Sequence, residues 1–139
     1  MIQSFRLVKV TFKKKKSINL PFEKSEYFFT AGRLTKQKNF LFLCKAVKRI
    51  ILDVPNFKIV IAGEGEDKDK ISSFIQKNEL EKHIFLIGHV PNIFPYIFSS
   101  KGFILTSLWE DPGFVLIEAA SCRVPVFSSN CPEGPKEII

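Results

Sequence analysis

Apolar runs alternate with longer amphipathic segments over most of this chain. The runs predict buried strands at residues 27–31, 57–62, 84–87, 103–106 and 124–128. Helical spacing of the apolar residues predicts helices at about 39–53, 67–78, 93–99 and 112–122. Strands that alternate with helices predict an α/β fold, here a Rossmann-like, three-layer α/β/α domain with a parallel sheet of about five strands.

The polar loops of this predicted domain follow the strands. They are residues 32–38, 63–66, 88–92, 107–113 and 128–134. In a parallel sheet these loops meet at one edge, and ligands bind in the crevice beyond the carboxyl ends of the strands. We therefore expect several of these loops to contribute to a single ligand-binding crevice.

The composition is that of one ordinary globular domain. Of 139 residues, 45% are hydrophobic and 25% are charged, which argues against disorder. No apolar run is long enough to span a bilayer and no signal-peptide pattern opens the chain, so we expect a cytoplasmic protein. Three cysteines without a CxxC spacing indicate buried, reduced thiols. With only His83 and His89 to add to them, no metal site is predicted.

The first 25 residues differ from the rest by their positive charge. Arg6, Lys9 and the lysine run 13–16 place six cations before the first acidic residue, Glu23, in a chain of net charge +7. One interpretation is a solvated basic arm or linker that precedes a domain at 26–139. The alternative is a patch that contacts anionic lipid headgroups, which would place the protein at the inner face of the membrane. Nucleic acid is not expected as a partner, because no supporting motif accompanies the cations.

Two glutamates enclose the stretch that carries the clearest chemical signal. Glu110 lies in the loop after the fourth predicted strand, and Glu118 lies in the following helix. Asp111 suits the N-cap of that helix and Pro112 its first position. Because the helix is otherwise apolar after its first turn, we expect it to be buried, with the Glu118 carboxylate hydrogen-bonded. Glu110 would lie beside a helix N-terminus, where free N–H groups favour an anion.

Several segments resemble one enzyme family. Glu110 to Glu118, followed by AASCRVPV, resembles the nucleotide-sugar half of family 4 glycosyltransferases with the GT-B fold. Residues 32–39 (GRLTKQKN) resemble that family's Gly-Arg-Leu…Lys-Asn segment, and residues 63–65 (GEG) resemble its Gly-x-Gly loop. The final segment, from residue 128, resembles the Gly-Pro-x-Glu-Ile ending of members that build surface polysaccharides and glycans. The resemblance extends from about residue 27 to residue 139.

The resemblance assigns a phosphate-binding role to four residues. Arg33 and Lys38 would hold the donor diphosphate, and the backbone N–H groups of Gly113 and Phe114 would cap it. Cleavage of the sugar–phosphate bond leaves growing negative charge on the nucleoside diphosphate. Fixed cations aimed at that charge lower the barrier more than they aid ground-state binding.

The resemblance also assigns the sugar and nucleoside contacts. Glu118 would bind the ribose hydroxyls, and Glu110, as the catalytic residue, would face the transferred sugar. Pro112 stands where the family often has an aromatic residue, which leaves the identity of the donor sugar open. The loop contacts with the ligand and its base would come from Gly63, Gly65, His89 and Val90.

The function implied is that of a retaining, metal-independent glycosyltransferase. It would transfer a hexose or N-acetylhexosamine from a nucleotide sugar, UDP-linked in our prediction, in surface polysaccharide or glycan assembly, without a cofactor. Because GT-B enzymes have two domains, we expect a C-terminally truncated donor-binding half at 26–139. It would be inactive without an acceptor-binding half, supplied by a missing domain or a partner chain. The alternatives are a degenerate non-catalytic remnant and a basic α/β interaction module.

Overall fold

Strands and helices alternate throughout the part of the chain that the computed structural model describes, which is residues 18, 20–23, 25–132 and 135. The elements are β1 (Phe28–Ala31), α1 (Phe40–Asp53), β2 (Ile59–Ala62), α2 (Lys68–Lys77), β3 (Ile84–Gly88), α3 (Phe94–Phe98), β4 (Phe103–Leu105), α4 (Phe114–Ser121) and β5 (Val126–Ser128). The strands form one five-stranded parallel sheet. The predicted α/β fold is therefore confirmed.

The order of the strands places a crevice at the centre of the sheet. The order is β3-β2-β1-β4-β5, so the chain moves outward from β1 in one direction and then returns to build β4 and β5 on the other side. Helices α1 and α2 pack on one face, whereas α3 and α4 pack on the other. The loops after β1 and β4 consequently diverge to opposite faces. Such a topological switch point is where ligands bind in open α/β sheets.

Two apolar cores, one on each face, hold the helices against the sheet. In β2, Val60 and Ala62 face the core beneath α3 and α4, while Ile59 and Ile61 face the core beneath α1 and α2. All four side chains are buried. Burial on both faces explains why this strand is a continuous apolar run without alternation.

The segment before β1 is described only in part. Leu20 and Phe22 pack against the core beneath α3 and α4, and the ring of Phe22 lies 4.7 Å from that of Phe85 on β3. The cations at positions 6, 9 and 13–16 lie outside the described residues, so both the arm and its contact with lipids stay predictions. Among the residues that are described, no helix has the length and apolar character needed to cross a bilayer.

The predicted start of the Glu118-bearing helix is wrong. Helix α4 begins at Phe114, its N-cap is Gly113, and no side chain caps it. Asp111 and Pro112 are exposed and precede the helix, joined by a cis peptide bond. The backbone of Gly113 has φ 76°, a left-handed conformation that glycine adopts readily, and this turn delays the helix to the next residue.

Candidate functional site

A largely buried ion pair lies at the switch point of the sheet. Lys38 Nζ lies 2.7 Å from Glu110 Oε1, although the two residues are 72 positions apart in the chain. The side chain of Lys38 is 16% exposed and that of Glu110 only 4%. Lys38 follows β1 and Glu110 follows β4, so the pair joins the two loops that diverge to opposite faces. The structure thus places two of the predicted site residues in direct contact.

A serine hydroxyl shares the carboxylate with the lysine. Ser107 Oγ donates a hydrogen bond to Glu110 Oε1, the same oxygen that Lys38 contacts. Ser107 is buried, and the backbone N–H of Glu110 donates to the carbonyl of Pro132 at 3.3 Å. A buried carboxylate is costly unless it is paired and hydrogen-bonded. Lys38 and Ser107 together meet that requirement for Glu110.

The loops around this ion pair are joined to one another by further hydrogen bonds. The Leu108 backbone N–H donates to the Gln37 carbonyl at 2.8 Å, and Gln37 Nε2 donates to the Trp109 carbonyl at 3.0 Å. From the loop after β5, Ser129 Oγ donates to the Ser107 carbonyl at 2.7 Å. These contacts fix the backbone from which the side chains of the site extend.

The glycines of the predicted crevice lie close to the backbone of neighbouring loops. A Cβ at Gly63 would lie 1.9 Å from the Gly32 carbonyl oxygen, and one at Gly65 would lie 2.5 Å from the Leu34 carbonyl oxygen. The Gly63 backbone N–H donates to the Gly88 carbonyl at 2.8 Å. These two glycines therefore allow neighbouring backbone loops to approach closely. Their contact with a ligand stays a prediction.

The other predicted ligand residues at this edge differ in exposure. Arg33 and His89 are exposed, Val90 is half-buried against the core beneath α3 and α4, and Gly113 is buried. Phe114 is 68% exposed, which leaves the first turn of α4 open to solvent. The structure tests none of the ligand roles assigned to these residues.

Helix α4 is less buried than the sequence predicts. Leu116 and Ala119 are buried against the sheet, but Ile117 is 51% exposed, because only one side of the helix packs on the sheet. Glu118 is half-buried, and no hydrogen bond from the described residues reaches its carboxylate. Burial raises the pKa of the Cys122 thiol; a hydrogen bond with Ser121 lowers it and the charge of Glu118 raises it, each by less than burial does. The expected burial of the whole helix is thus wrong, and the binding of ribose by Glu118 stays a prediction.

Sequence reasoning missed the groups that support Glu110. Ser107 was predicted only as a residue that follows a strand, and neither Gln37 nor Ser129 was assigned a role. The available signal was a short polar side chain directly after a buried strand and three residues before the glutamate. Buried polar residues at the carboxyl end of a parallel strand are candidates for a ligand-binding site, because packing of the core does not require a polar side chain there.

The described part of the chain also shows what lies outside this ion pair. No group of three or more His, Cys, Asp and Glu side chains in it could hold a metal ion. All three cysteines are buried and free, as predicted. A cavity of about 400 Å³ lies between α2 and the edge strand β3, lined by Leu20, Ile75 and Phe85 among others. It contains none of the predicted site residues.

Comparison with known proteins identifies relatives along most of the chain. The model of the family glycosyl transferases group 1 matches residues 11–139. An uncharacterised glycosyltransferase of Methanocaldococcus jannaschii is 40% identical over 118 residues. The N-acetylgalactosamine-N,N'-diacetylbacillosaminyl-diphospho-undecaprenol 4-alpha-N-acetylgalactosaminyltransferase of Campylobacter jejuni is 32% identical over 115 residues. These alignments cover 85% and 83% of this chain, but only 29% and 31% of the two relatives.

Among solved structures, the chain is similar to the pneumococcal O-GlcNAc transferase GtfA, crystallised in complex with UDP and GlcNAc. The TM-score is 0.78 at 26% sequence identity, and the match covers 84% of this chain and 23% of that protein. The fold and the arrangement of the sheet are therefore shared with an enzyme several times longer.

Proposed function

This chain belongs to the glycosyl transferases group 1 family, and we propose that it binds the nucleotide-sugar donor of the transfer reaction. The observation that carries the proposal is the buried ion pair of Lys38 and Glu110 at the switch point of the sheet. It places a cation and a carboxylate where an α/β sheet binds ligands. The similar pneumococcal enzyme, crystallised with UDP and GlcNAc, supports a UDP-linked donor.

The cationic side of the site would hold the diphosphate. Lys38 is mostly buried, and a cation in such surroundings interacts more strongly with a phosphate than it would in water. Arg33, which is exposed on the same loop, would add a second cation. The first backbone N–H groups of α4, at Gly113 and Phe114, would cap the phosphate, because a helix N-terminus favours an anion. Together these groups would stabilise the charge that develops on the leaving diphosphate.

The acidic side would hold the sugars. Lys38 and Ser107 both contact Glu110 Oε1, and within residues 25–132 no hydrogen bond reaches Glu110 Oε2. That second oxygen can accept a hydrogen bond from the transferred sugar. Glu118 on α4 would accept hydrogen bonds from the ribose hydroxyls, which would satisfy a carboxylate that the described residues leave without one. The base would contact the loops that carry Gly63, Gly65, His89 and Val90.

The complete reaction requires more than donor binding. Transfer needs an acceptor hydroxyl held against the sugar carbon. We propose that an acceptor-binding half, on the same polypeptide or on a partner chain, supplies it. The reaction would be retaining and independent of metal, with a hexose or N-acetylhexosamine transferred into a polysaccharide or glycan. The chain alone would then bind donor without turning it over.

Titration of UDP and UDP-sugars by calorimetry tests the proposal. The wild-type chain should bind UDP, and Glu118→Gln should weaken binding by about 1–3 kcal/mol, because hydrogen bonds to a charged acceptor are lost. Glu79→Gln is the matched control, since it removes the same charge from an exposed position beyond the end of α2. Its affinity should equal that of the wild type.

Two outcomes would contradict the proposal. If neither heat nor a chemical-shift change accompanies addition of UDP or of any UDP-sugar, the proposed binding of a UDP-linked donor is wrong, and the result favours the alternative of a basic α/β interaction module. If Glu118→Gln changes the affinity for UDP no more than Glu79→Gln does, Glu118 has no specific role in binding.

A further inference from the structure

We propose that Ser107 is a positioning residue that orients Glu110 toward the sugar of the donor. The inference rests on the proposed donor-binding function and adds Ser107 to the residues that serve it. Ser107 is 2% exposed, and its hydroxyl donates to the buried carboxylate from the loop after β4. It therefore acts through Glu110, without a ligand contact of its own.

The geometry around the carboxylate supports a positioning role. Lys38 and Ser107 converge on Glu110 Oε1, so two donors fix one oxygen and oppose rotation of the carboxylate group. With Oε1 held in this way, Oε2 is the oxygen that remains for a sugar hydroxyl. Hydrogen bonds from a supporting residue commonly hold a ligand-binding side chain in its productive geometry.

Ser107 is itself held in place by the neighbouring loop. Its carbonyl accepts a hydrogen bond from Ser129 Oγ at 2.7 Å, and the Ser129 backbone N–H donates to the Leu105 carbonyl of β4 at 2.9 Å. The serine backbone is thus connected to β4 and to the segment after β5. A rigid support is what a positioning residue requires.

Competition for Lys38 explains why a second donor is needed. Under the proposed function, Lys38 turns its charge toward the donor diphosphate. Glu110, at 4% exposure, would then lose its only ion-pair partner among the described residues. A buried carboxylate left without a donor is strongly unfavourable. Ser107 keeps Glu110 hydrogen-bonded, and in the same orientation, while the lysine engages phosphate.

Comparison of UDP with UDP-sugars separates positioning from folding. The probes are UDP, UDP-glucose, UDP-galactose, UDP-N-acetylglucosamine and UDP-N-acetylgalactosamine, titrated against the full 139-residue chain. The ratio of the UDP Kd to the UDP-sugar Kd reports the contribution of the sugar. For the sugar that binds wild type best, Ser107→Ala should lower this ratio by about tenfold, as expected for a hydrogen bond to a charged group. The UDP Kd should stay within about twofold.

Three further variants complete the test. Ser107→Thr retains the hydroxyl and should restore the ratio. Ser100→Ala is the matched control, because Ser100 is a buried serine at the other end of β4 whose hydroxyl donates to the Ile97 carbonyl at 2.7 Å. It should change neither Kd. Should Ser107→Ala fail to fold, Ser107→Cys fills the site with a slightly larger side chain and a weaker donor, and it should lower the ratio in the same direction.

The outcomes distinguish this inference from the proposed function. UDP binding with an unchanged ratio in Ser107→Ala overturns the inference alone. A parallel loss of UDP and UDP-sugar affinity shows a purely structural serine and also overturns it, as does a wild type that binds no UDP-sugar more tightly than UDP. If the wild type binds neither UDP nor any UDP-sugar, the proposed function fails and takes the inference with it.

Discussion

The two halves of the crevice differ in the interactions that bring their residues together. In the acid–base half, made of Lys38, Ser107 and Glu110, a buried carboxylate is paired with a partly buried ammonium group at the switch point. In the glycine half, made of Gly63, Gly65 and Gly88, neighbouring backbone lies too close to Gly63 and Gly65 for a side chain, and Gly88 has a left-handed φ of +71°.

The difference shows which half carries information about a ligand. Packing within the protein already explains Gly63 and Gly65, so their presence says little about binding. A buried ion pair is different, because apolar residues of similar volume often give equal or greater stability. We therefore expect that the fold does not depend on the charges of Lys38 and Glu110. They are consequently the stronger indication of function, and variants in the two halves should behave differently.

The largest effect should come from Gly63→Ala. The added Cβ would lie 1.9 Å from the Gly32 carbonyl oxygen, and the backbone at Gly63 has φ +145°, which an L-residue rarely adopts. Both backbone segments would have to move, so we expect a loss of more than about 4 kcal/mol in the free energy of unfolding. Urea unfolding followed by circular dichroism measures it. A variant with the wild-type midpoint would show that the glycine half is not packed as described.

Glu110→Ala should be the most damaging change in the acid–base half. It leaves the largely buried Lys38 ammonium without its carboxylate and removes the acceptor of the Ser107 hydroxyl. Loss of one partner of a buried pair is costly, and we expect about 3 kcal/mol of destabilisation by urea unfolding. Glu118→Ala is the control, and it should cost less than about 1 kcal/mol because Glu118 is only half-buried. If both variants lost the same free energy of unfolding, Glu110 would be no more important for stability than Glu118.

Much of the fold follows from the sequence, for a physical reason. The central strands are buried on both faces, so each is a short continuous apolar run that local reasoning can identify. The nine elements between residues 28 and 128 were all predicted with bounds within a few residues of those observed. The order of the strands was not predicted, because the pairing of β1 with β4 depends on which faces the connecting helices cover.

The candidate site was less predictable for the same reason. The family resemblance assigns Lys38 to phosphate and Glu110 to the sugar, but the contact between them spans 72 positions and depends on the pairing of β1 with β4. The support from Ser107 depends on the inward direction of the Glu110 side chain, which no local pattern reports. At the start of α4, Asp111 and Pro112 were favourable by local preference, yet the turn at Gly113 determines where the helix begins.

Gly88→Ala should destabilise the protein less than Gly63→Ala, which would show that packing is not equally tight throughout the glycine half. Gly88 has φ +71°, but the nearest atom to an added Cβ is Glu64 Oε1 at 3.0 Å, at the end of an exposed side chain that can move. Only the backbone strain remains, so we expect a loss of about 1–2 kcal/mol. The same urea titration measures it. A loss as large as that of Gly63→Ala would mean that packing at Gly88 is as tight as at Gly63.

Replacing both charges of the ion pair should nearly restore stability. In Lys38→Met with Glu110→Gln, the amide oxygen can still accept from Ser107, and no unpaired charge is left behind. We expect the free energy of unfolding to lie within about 1 kcal/mol of the wild type, while UDP binding is lost. Unfolding and calorimetry on one preparation measure both quantities. A double variant as unstable as Glu110→Ala would mean that the ion pair stabilises the fold, as the glycines of the other half do.

The smallest effect on stability should come from Arg33→Ala. Arg33 is exposed and, within the described part of the chain, takes part in no ion pair, so its removal should change the free energy of unfolding by less than about 0.5 kcal/mol. Affinity for UDP should nevertheless fall about tenfold, because a charge-assisted contact with the diphosphate is removed. Arg49→Ala, an exposed arginine on α1, is the matched control and should leave affinity unchanged. Equal losses of affinity in the two variants would reduce the role of Arg33 to the general positive charge of the chain, and Lys38 would then be the sole cation specific to the diphosphate.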